Sequence, residues 1–421
     1  MKKINLHGLE MDCYTEVLDN GLEIYMLPYP NKKNYFISYA TRFGSDVLSF
    51  TDEKKIHKLP LGIAHFLEHK MFEQEDGQDP FNFFSESGTD SNASTSFDST
   101  QYICYGTKEF KKNLAYLLEF VNHPYYTDEN VEKEKGIIAE EIKMYEDVPD
   151  FKLEMKLRQC LYKNHPRRID IAGSIDEINK ITKEDLYSCY ENFYVPNNMF
   201  ILIVGNFSPK EALAIIEREL EEKKRKKLPT ISKISEPEKV ESKEHHLKDN
   251  IEIPKVAMGI KVPTRNISMD KLELDLYLNM LTTILFGSSS EFREKARQEK
   301  LLSGLYMEWE VLEEYHTFYM MTSTVQPKEL IKEIEKVWKN ITIQEEDFTR
   351  IQKVWIANEV RMIDNIDATV NNLYDDIIKY HEIIPDKVEK IRNMKFKKLQ
   401  SLIKEIDLKN TSIVQMIPSS K

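Results

Sequence analysis

The motif that most constrains this chain is HxxEH, which runs from His65 to His69 and includes Glu68. Two histidines four residues apart lie one turn apart on the same face of an α-helix. Their neutral imidazoles can then chelate one zinc ion, and a catalytic zinc site leaves one position for water. Glu68 lies beside both histidines, so it is better placed to take the proton of that water than to bind the metal. The alternative is a solvated helix face on which the pattern arises by chance.

A third protein ligand is needed, and the segment from Thr127 to Asp147 offers several carboxylates. Thr127 or Asp128 can cap its start, and apolar residues recur at helical spacing, so we predict a helix of about five turns. The predicted buried positions are Val131, Ile137, Ile138, Ile142 and Tyr145. The candidate ligands are Glu132, Glu134, Glu140 and Glu141. The alternative for each of these four carboxylates is an ordinary surface charge paired with a nearby lysine.

A second segment of interest runs from Ser91 to Thr100 and alternates small and hydroxylated residues after a glycine turn at Gly88. This pattern predicts a strand that another peptide backbone can approach closely. The alternative is a plain edge strand whose serines face water.

The composition indicates a soluble enzyme, because 421 residues with 41% hydrophobic content can bury an ample core. The longest apolar run, Met199–Val204, is only as long as a strand, and the N-terminus lacks the apolar segment of a signal peptide. The four cysteines lack CxxC spacing and predict reduced thiols. We therefore expect a cytoplasmic protein with no membrane contact. The net charge of −12 argues against general binding to nucleic acid.

The basic run Lys223–Lys227 opens a polar stretch, residues 223–250, whose serines and prolines are typical of a linker. Its pair His245-His246 could hold a metal, but adjacent side chains point in different directions, so a solvated linker is the favoured interpretation. The stretch divides the chain into residues 1–222 and residues 251–421.

These two parts resemble distant copies of each other. Near its end each has a helix and then an apolar strand, which is Met199–Gly205 in the first part and Ser412–Ile417 in the second. We predict an α+β fold of two homologous domains, each a mainly antiparallel sheet with helices packed on one face. Residues 1–222 then form the zinc-binding catalytic domain, whereas residues 251–421 form a copy without the zinc motif.

The motif and its surroundings resemble the insulinase/pitrilysin zinc metallopeptidases, and within them the shorter type that includes the mitochondrial processing peptidases. The resemblance is carried by Asp19–Leu22, Gly62–Phe72, Ser91–Thr95, Glu134–Glu141, His165-Pro166, Ile181-Thr182 and Met199–Gly205. It implies a zinc-dependent endopeptidase that holds one Zn²⁺ per chain and cleaves short or unfolded peptides, and it independently implies the duplication.

The resemblance also implies roles for individual residues. The family carries its third zinc ligand and a supporting glutamate seven residues apart, and these positions match Glu141 and Glu134. The family's edge strand receives the substrate as an added strand, with an Asn-Ala pair next to the zinc that matches Asn92 and Ala93.

In the second half, the family places an arginine and, seven residues later, a tyrosine that reach the substrate. Arg297 sits at the arginine position, but the tyrosine position holds Gly304, and Tyr306 is the nearest phenol. We therefore name Arg297 and Tyr306 as candidate substrate contacts, with the alternative that this chain does without the tyrosine.

The resemblance implies a second chain, because family enzymes enclose the substrate between two bowl-shaped halves and this chain supplies one of them. The partner would be an identical copy, which we favour, or a related subunit. Some family members have become non-catalytic, so the alternative function is a peptide-binding scaffold subunit of a hetero-oligomeric processing peptidase. Metal-dependent hydrolysis of something other than a peptide has no support beyond the metal itself.

Overall fold

The structure is a computed structural model that describes residues 1–53, 55–264 and 267–419. The strands are β1 Lys2–Leu6, β2 Met11–Val17, β3 Glu23–Pro28, β4 Tyr35–Thr41, β5 Ser49–Thr51, β6 Ile56–Lys58, β7 Asp90–Thr95, β8 Thr100–Gly106, β9 Met199–Gly205, β10 Thr230–Ile231, β11 Glu244–Asp249, β12 Lys255–Pro263, β13 Tyr306–Val311, β14 Tyr315–Ser323 and β15 Thr411–Pro418. The helices are α1 Ile63–Lys70, α2 Pro80–Glu86, α3 Phe110–Val121, α4 Asp128–Glu146, α5 Pro149–Leu161, α6 Ile175–Ile178, α7 Lys183–Phe193, α8 Pro209–Glu219, α9 Lys271–Phe286, α10 Glu291–Gln298, α11 Pro327–Lys339, α12 Glu345–Met362, α13 Ile366–Tyr380, α14 Lys387–Asn393 and α15 Phe396–Glu405. Short 3₁₀ turns cover Pro166–Arg168 and Pro196–Asn198.

The first compact unit comprises Met1–Lys143, Asp170–Lys233 and Val360–Asp386. Its main sheet has the strand order β1-β2-β3-β9-β4-β8-β7, and every neighbouring pair is antiparallel except β3 and β9. Strand β9 reads MFILIVG, and all seven residues are buried. An uninterrupted apolar run of this kind is expected of a strand that is covered on both faces.

Both faces of this sheet are indeed covered. On one face, Ile201 and Ile203 of β9 pack in a core with apolar residues of α1, α3, α4, α7 and α8. On the other face, Phe200, Leu202 and Val204 pack against α13. The buried residues of α13 recur at helical spacing, and they are Ile366, Val370, Leu373 and Ile377.

The second compact unit comprises Met144–Ile169, Ile234–Glu359 and Lys387–Lys421. Its sheet has the order β11-β15-β12-β14-β13, with β11 and β15 parallel and the other pairs antiparallel. Helices α9, α11 and α15 contribute to the core on one face. Helix α5 covers the other face through Leu153, Leu157 and Leu161.

The strand order reveals the duplication directly. The series β3-β9-β4-β8-β7 of the first unit has the same pattern of one parallel and three antiparallel pairs as β11-β15-β12-β14-β13 of the second. The predicted α+β class with two related domains is therefore confirmed. The prediction placed helices on one face of each sheet only, and the structure adds α13 and α5 on the second faces.

The compact units are not the continuous ranges 1–222 and 251–421. Residues 144–169 belong to the second unit and residues 360–386 to the first, because α5 and α13 each pack on the sheet of the other part of the sequence. The predicted linker 223–250 contains β10, and it also contains β11, which pairs with β15. His245 and His246 lie in β11, so the pair belongs to a strand rather than to a linker, and His246 is exposed to solvent.

Helix α4 buries fewer apolar side chains than its spacing predicted. Ile137 and Tyr145 are exposed, so the predicted buried stripe of α4 was too broad. All four cysteines are free and buried in the part of the chain that is described. Across residues 1–53, 55–264 and 267–419, no helix combines the length and apolar character needed to cross a bilayer.

Gly62, which directly precedes α1, should be essential for the position of that helix. It has a φ of +88°, and a Cβ there would overlap the carbonyl oxygen of Ala172. We expect Gly62→Ala to destabilise the protein by about 3 kcal/mol or more, because a left-handed conformation costs about 1–2 kcal/mol and the overlap adds to it.

Gly77 is a matched control, since its φ is +74° but a Cβ there would meet nothing within 4 Å. Gly77→Ala should lower the free energy of unfolding by only about 1–2 kcal/mol, which is the cost of the left-handed conformation alone. The measurement is the urea midpoint of the wild-type protein and both variants by circular dichroism. Equal losses for the two variants would contradict the steric argument.

Candidate metal centre

Helix α1 presents the two motif histidines because its apolar side is buried. Ile63, Ala64, Phe66 and Leu67 lie in the core of the first unit. His65 and His69 are left partly exposed on a common face, with ring centroids 4.6 Å apart. The predicted helical spacing of these histidines is therefore what the structure has.

Helix α4 supplies the third candidate ligand. The Thr127 hydroxyl caps its start by accepting a hydrogen bond from the Asn130 backbone N–H at 3.1 Å, and Val131, Ile138 and Ile142 are buried. This packing turns Glu141 toward α1.

The three side chains converge on one point. Glu141 Oε1 lies 3.7 Å from His65 Nε2, and Glu141 Oε2 lies 3.4 Å from His69 Nε2. One ligand atom from each residue lies within 4.8 Å of the other two. Atoms that share a tetrahedral zinc ion with bonds of about 2.0–2.2 Å lie roughly 3.3–3.5 Å apart. The spacing and the donor set of two imidazoles and a carboxylate therefore fit zinc.

Glu134 supports His69. It is largely buried, and its Oε1 accepts a hydrogen bond from His69 Nδ1 at 3.1 Å. With Nδ1 as the donor, the lone pair of Nε2 is directed toward Glu141. Burial raises the pKa of Glu134, but the hydrogen bond from His69 and the charge of Lys70 outweigh burial and hold this pKa below its usual value.

The two histidines differ in their protonation. Burial, and then the neighbouring His69, lower the pKa of His65 to about 3, so its imidazole is neutral at physiological pH. Burial also opposes the charged form of His69, but the hydrogen bond to Glu134 and the surrounding carboxylates raise its pKa overall. His65 is thus already in the neutral form that binds a metal, whereas His69 holds its proton more tightly than an ordinary histidine does.

Glu68 is positioned by a residue that the sequence interpretation did not single out. The Thr95 hydroxyl donates to Glu68 Oε2 at 2.6 Å. Burial raises the pKa of Glu68, and the hydrogen bond from Thr95 partly opposes the increase. A buried carboxylate with a raised pKa beside two candidate metal ligands is suited to proton transfer near neutral pH. No local signal marks Thr95, because its contact depends on where β7 lies beside α1.

Strand β7 forms an edge of the first sheet. It pairs with β8, with Asn92 opposite Ile103 and Ala93 opposite Tyr102, and the sheet order of the described residues ends there. Asn92 is exposed, whereas Ala93 is partly buried against the core. The strand is thus an edge, and the substrate-binding role of these two residues stays a prediction.

Arg297 and Tyr306 lie in the second unit. The side chain of Arg297 is 77% exposed and binds Glu294 of the same helix at 2.9 Å. Tyr306 begins β13, and its hydroxyl donates to Glu308. Burial and the Glu308 carboxylate raise the pKa of Tyr306. Their predicted contact with substrate stays a prediction.

Comparison with known proteins places these features in a family. Residues 49–174 match the family described as "Insulinase (Peptidase family M16)", and residues 180–354 match the one described as "Peptidase M16 inactive domain". The HxxEH motif and Glu141 both fall within the first match.

Individual relatives agree with this assignment. The "Uncharacterized zinc protease YmfH" of Bacillus subtilis is 40% identical over 295 residues, which is 69% of each chain. A crystal structure described as an M16-like peptidase of Alicyclobacillus acidocaldarius is 31% identical and has a TM-score of 0.91, covering 98% of this chain and 99% of that one. Pitrilysin, at 14% identity and a TM-score of 0.78, shares the fold over all of this chain and 47% of its own. This chain belongs to the insulinase family of peptidases, family M16.

Proposed function

We propose that the chain is a zinc-dependent endopeptidase that cleaves short or unfolded peptides. The observation that carries the proposal is the convergence of His65, His69 and Glu141 on one point, with Glu68 held beside them. The relatives that are named zinc proteases support it.

In the proposed mechanism, His65, His69 and Glu141 would hold the metal. Zinc, when bound, supplies a Lewis acid that polarises the scissile carbonyl and makes a water molecule acidic. Glu68 accepts the proton of that water and then delivers it to the leaving amine, so no covalent enzyme intermediate is needed. Thr95 fixes the Glu68 carboxylate during both transfers.

Strand β7 would bind the substrate. An extended peptide that adds to this edge would be held by main-chain hydrogen bonds, so we expect a loose sequence preference and a requirement for unfolded chains. The exposed Asn92 and the small Ala93 are the residues that we expect next to the scissile bond.

A second candidate function is that of a peptide-binding scaffold with little activity. The match of residues 180–354 to an inactive peptidase domain is the observation that favours it. The complete set of His65, His69, Glu141 and Glu68 favours the enzyme, because a scaffold needs no general base.

Replacement of the proposed base separates these functions. We expect Glu68→Gln to retain zinc and to lower kcat/KM on a quenched fluorescent peptide at least about 100-fold, because the amide cannot accept the proton. Glu140→Gln is the control, since Glu140 is an exposed residue of α4 that pairs with Lys143. Cleavage by Glu68→Gln at the wild-type rate would refute the assignment, and a zinc-loaded wild-type protein that binds peptides without cutting them would favour the scaffold.

Replacement of the supporting carboxylate tests the metal site. We expect Glu134→Gln to weaken zinc binding by about 10–100-fold, because the amide is a poorer acceptor for the His69 N–H. Affinity is measured by competition with a chromophoric chelator. Glu132→Gln, at an exposed position of the same helix, should bind zinc as the wild type does. Unchanged affinity in Glu134→Gln would remove Glu134 from the site.

We also propose that two chains act together, and we favour a homodimer over a heterodimer with a related subunit. The match to 47% of the pitrilysin chain supports the idea that this chain corresponds to one half of a larger enclosure. Light scattering of the purified protein at micromolar concentration should give twice the chain mass. A fully active monomer would contradict both the homodimer and the heterodimer.

A further inference from the structure

Lys70 directly follows the second histidine of the motif and is completely buried. A lysine is almost never fully buried unless its charge is paired. Its Nζ lies 3.3 Å from Glu134 Oε2 and also contacts the Glu73 carboxylate. The chain therefore places a buried cation directly against the carboxylate that supports His69.

The two oxygens of Glu134 have separate partners. Oε1 accepts from His69 Nδ1, and Oε2 accepts from Lys70 Nζ. Both contacts come from the last turn of α1, so together they fix the carboxylate in position and in orientation. Glu141 differs, since its two oxygens face the Nε2 atoms of His65 and His69. Two glutamates of the same helix, seven residues apart, thus have different partners.

We propose that Lys70 is a positioning residue that commits Glu134 to orienting His69 and leaves Glu141 as the carboxylate that binds the metal. The inference rests on the proposed zinc function and adds a residue to it. Without the lysine, one oxygen of a buried carboxylate loses its partner, and the carboxylate is free to rotate away from His69. A buried charge without its partner is strongly destabilising, so the local arrangement would change.

An ion pair of α4 whose carboxylate is exposed provides the contrast. Lys135 binds Glu132 of the same helix at 2.9 Å, and the Lys135 side chain is 15% exposed whereas the Glu132 side chain is 74% exposed. Solvent screens this pair at the exposed carboxylate, so the pair contributes little. Lys135→Met is therefore a matched control, since it removes a lysine from a neighbouring glutamate pair without touching Glu134.

The experiment measures zinc affinity of the full chain by competition with a chromophoric chelator. Wild-type protein is measured first, and failure to bind zinc there would refute the proposed function rather than this inference. We expect Lys70→Met to weaken zinc binding about tenfold, the lower end of the range for residues that support a metal ligand. Lys135→Met should leave the affinity unchanged within about twofold.

The double variant Lys70→Met/Glu134→Gln tests whether Lys70 acts through Glu134. If it does, the double variant should match Glu134→Gln within about twofold, because the two changes remove one interaction. Additive losses would overturn the proposal, and so would an unchanged affinity in Lys70→Met. Tighter zinc binding in Lys70→Met would also overturn it, because the lysine would then act only by repelling the metal.

Thermal melts followed by circular dichroism accompany each variant. If Lys70→Met alone does not fold, the comparison of Glu134→Gln with the double variant still tests the proposal. Both of these variants carry a neutral glutamine at position 134, so neither buries an unpaired Glu134 charge. Equal affinities in that pair support the proposal, and a further loss in the double variant refutes it.

Discussion

The site depends on the burial of one side of a single eight-residue helix, α1. Burying a phenylalanine or leucine side chain stabilises a fold by about 1.5–3 kcal/mol, and both Phe66 and Leu67 are fully buried. The directions of His65 and His69 are therefore set by packing against the sheet. A metal that binds here meets ligands that are already in place, and little of its binding free energy is needed to order them.

The polar side chains around these ligands obey a different constraint, because burying a charge is costly unless it is paired. Glu68 has the Thr95 hydroxyl, which joins α1 to β7, and Glu134 has His69 and Lys70, which both join α1 to α4. Each pairing compensates a buried charge, and it also fixes geometry, because a hydrogen-bonded carboxylate keeps one orientation. The same hydrogen bonds that make these buried charges tolerable also define which atoms face the metal.

The sequence predicted the parts of the site that depend on local spacing. The two histidines lie four residues apart on one helix, and α4 begins and ends within one residue of the predicted segment. Spacing alone did not distinguish Glu141 from Glu134, because both lie on the same face, and only the resemblance selected the ligand. What differs between them is the neighbouring Lys70, a contact between two helices that no local pattern encodes. Ile137 is exposed because helical spacing places it away from the buried stripe of Val131, Ile138 and Ile142. Likewise, the buried residues of α5 and α13 recur at helical spacing, but spacing does not encode which sheet each helix covers.

The exchange of α5 and α13 has a consequence for the order in which the protein folds. Phe200, Leu202 and Val204 are synthesised well before α13, so one apolar face of the first sheet stays uncovered until the chain is nearly complete. The first 222 residues thus carry all of the candidate metal ligands but lack the helix that covers the back of their sheet. Folding of the first unit requires the late segment, so the whole chain, rather than either half of the sequence, is the smallest piece that can bury both of its sheets.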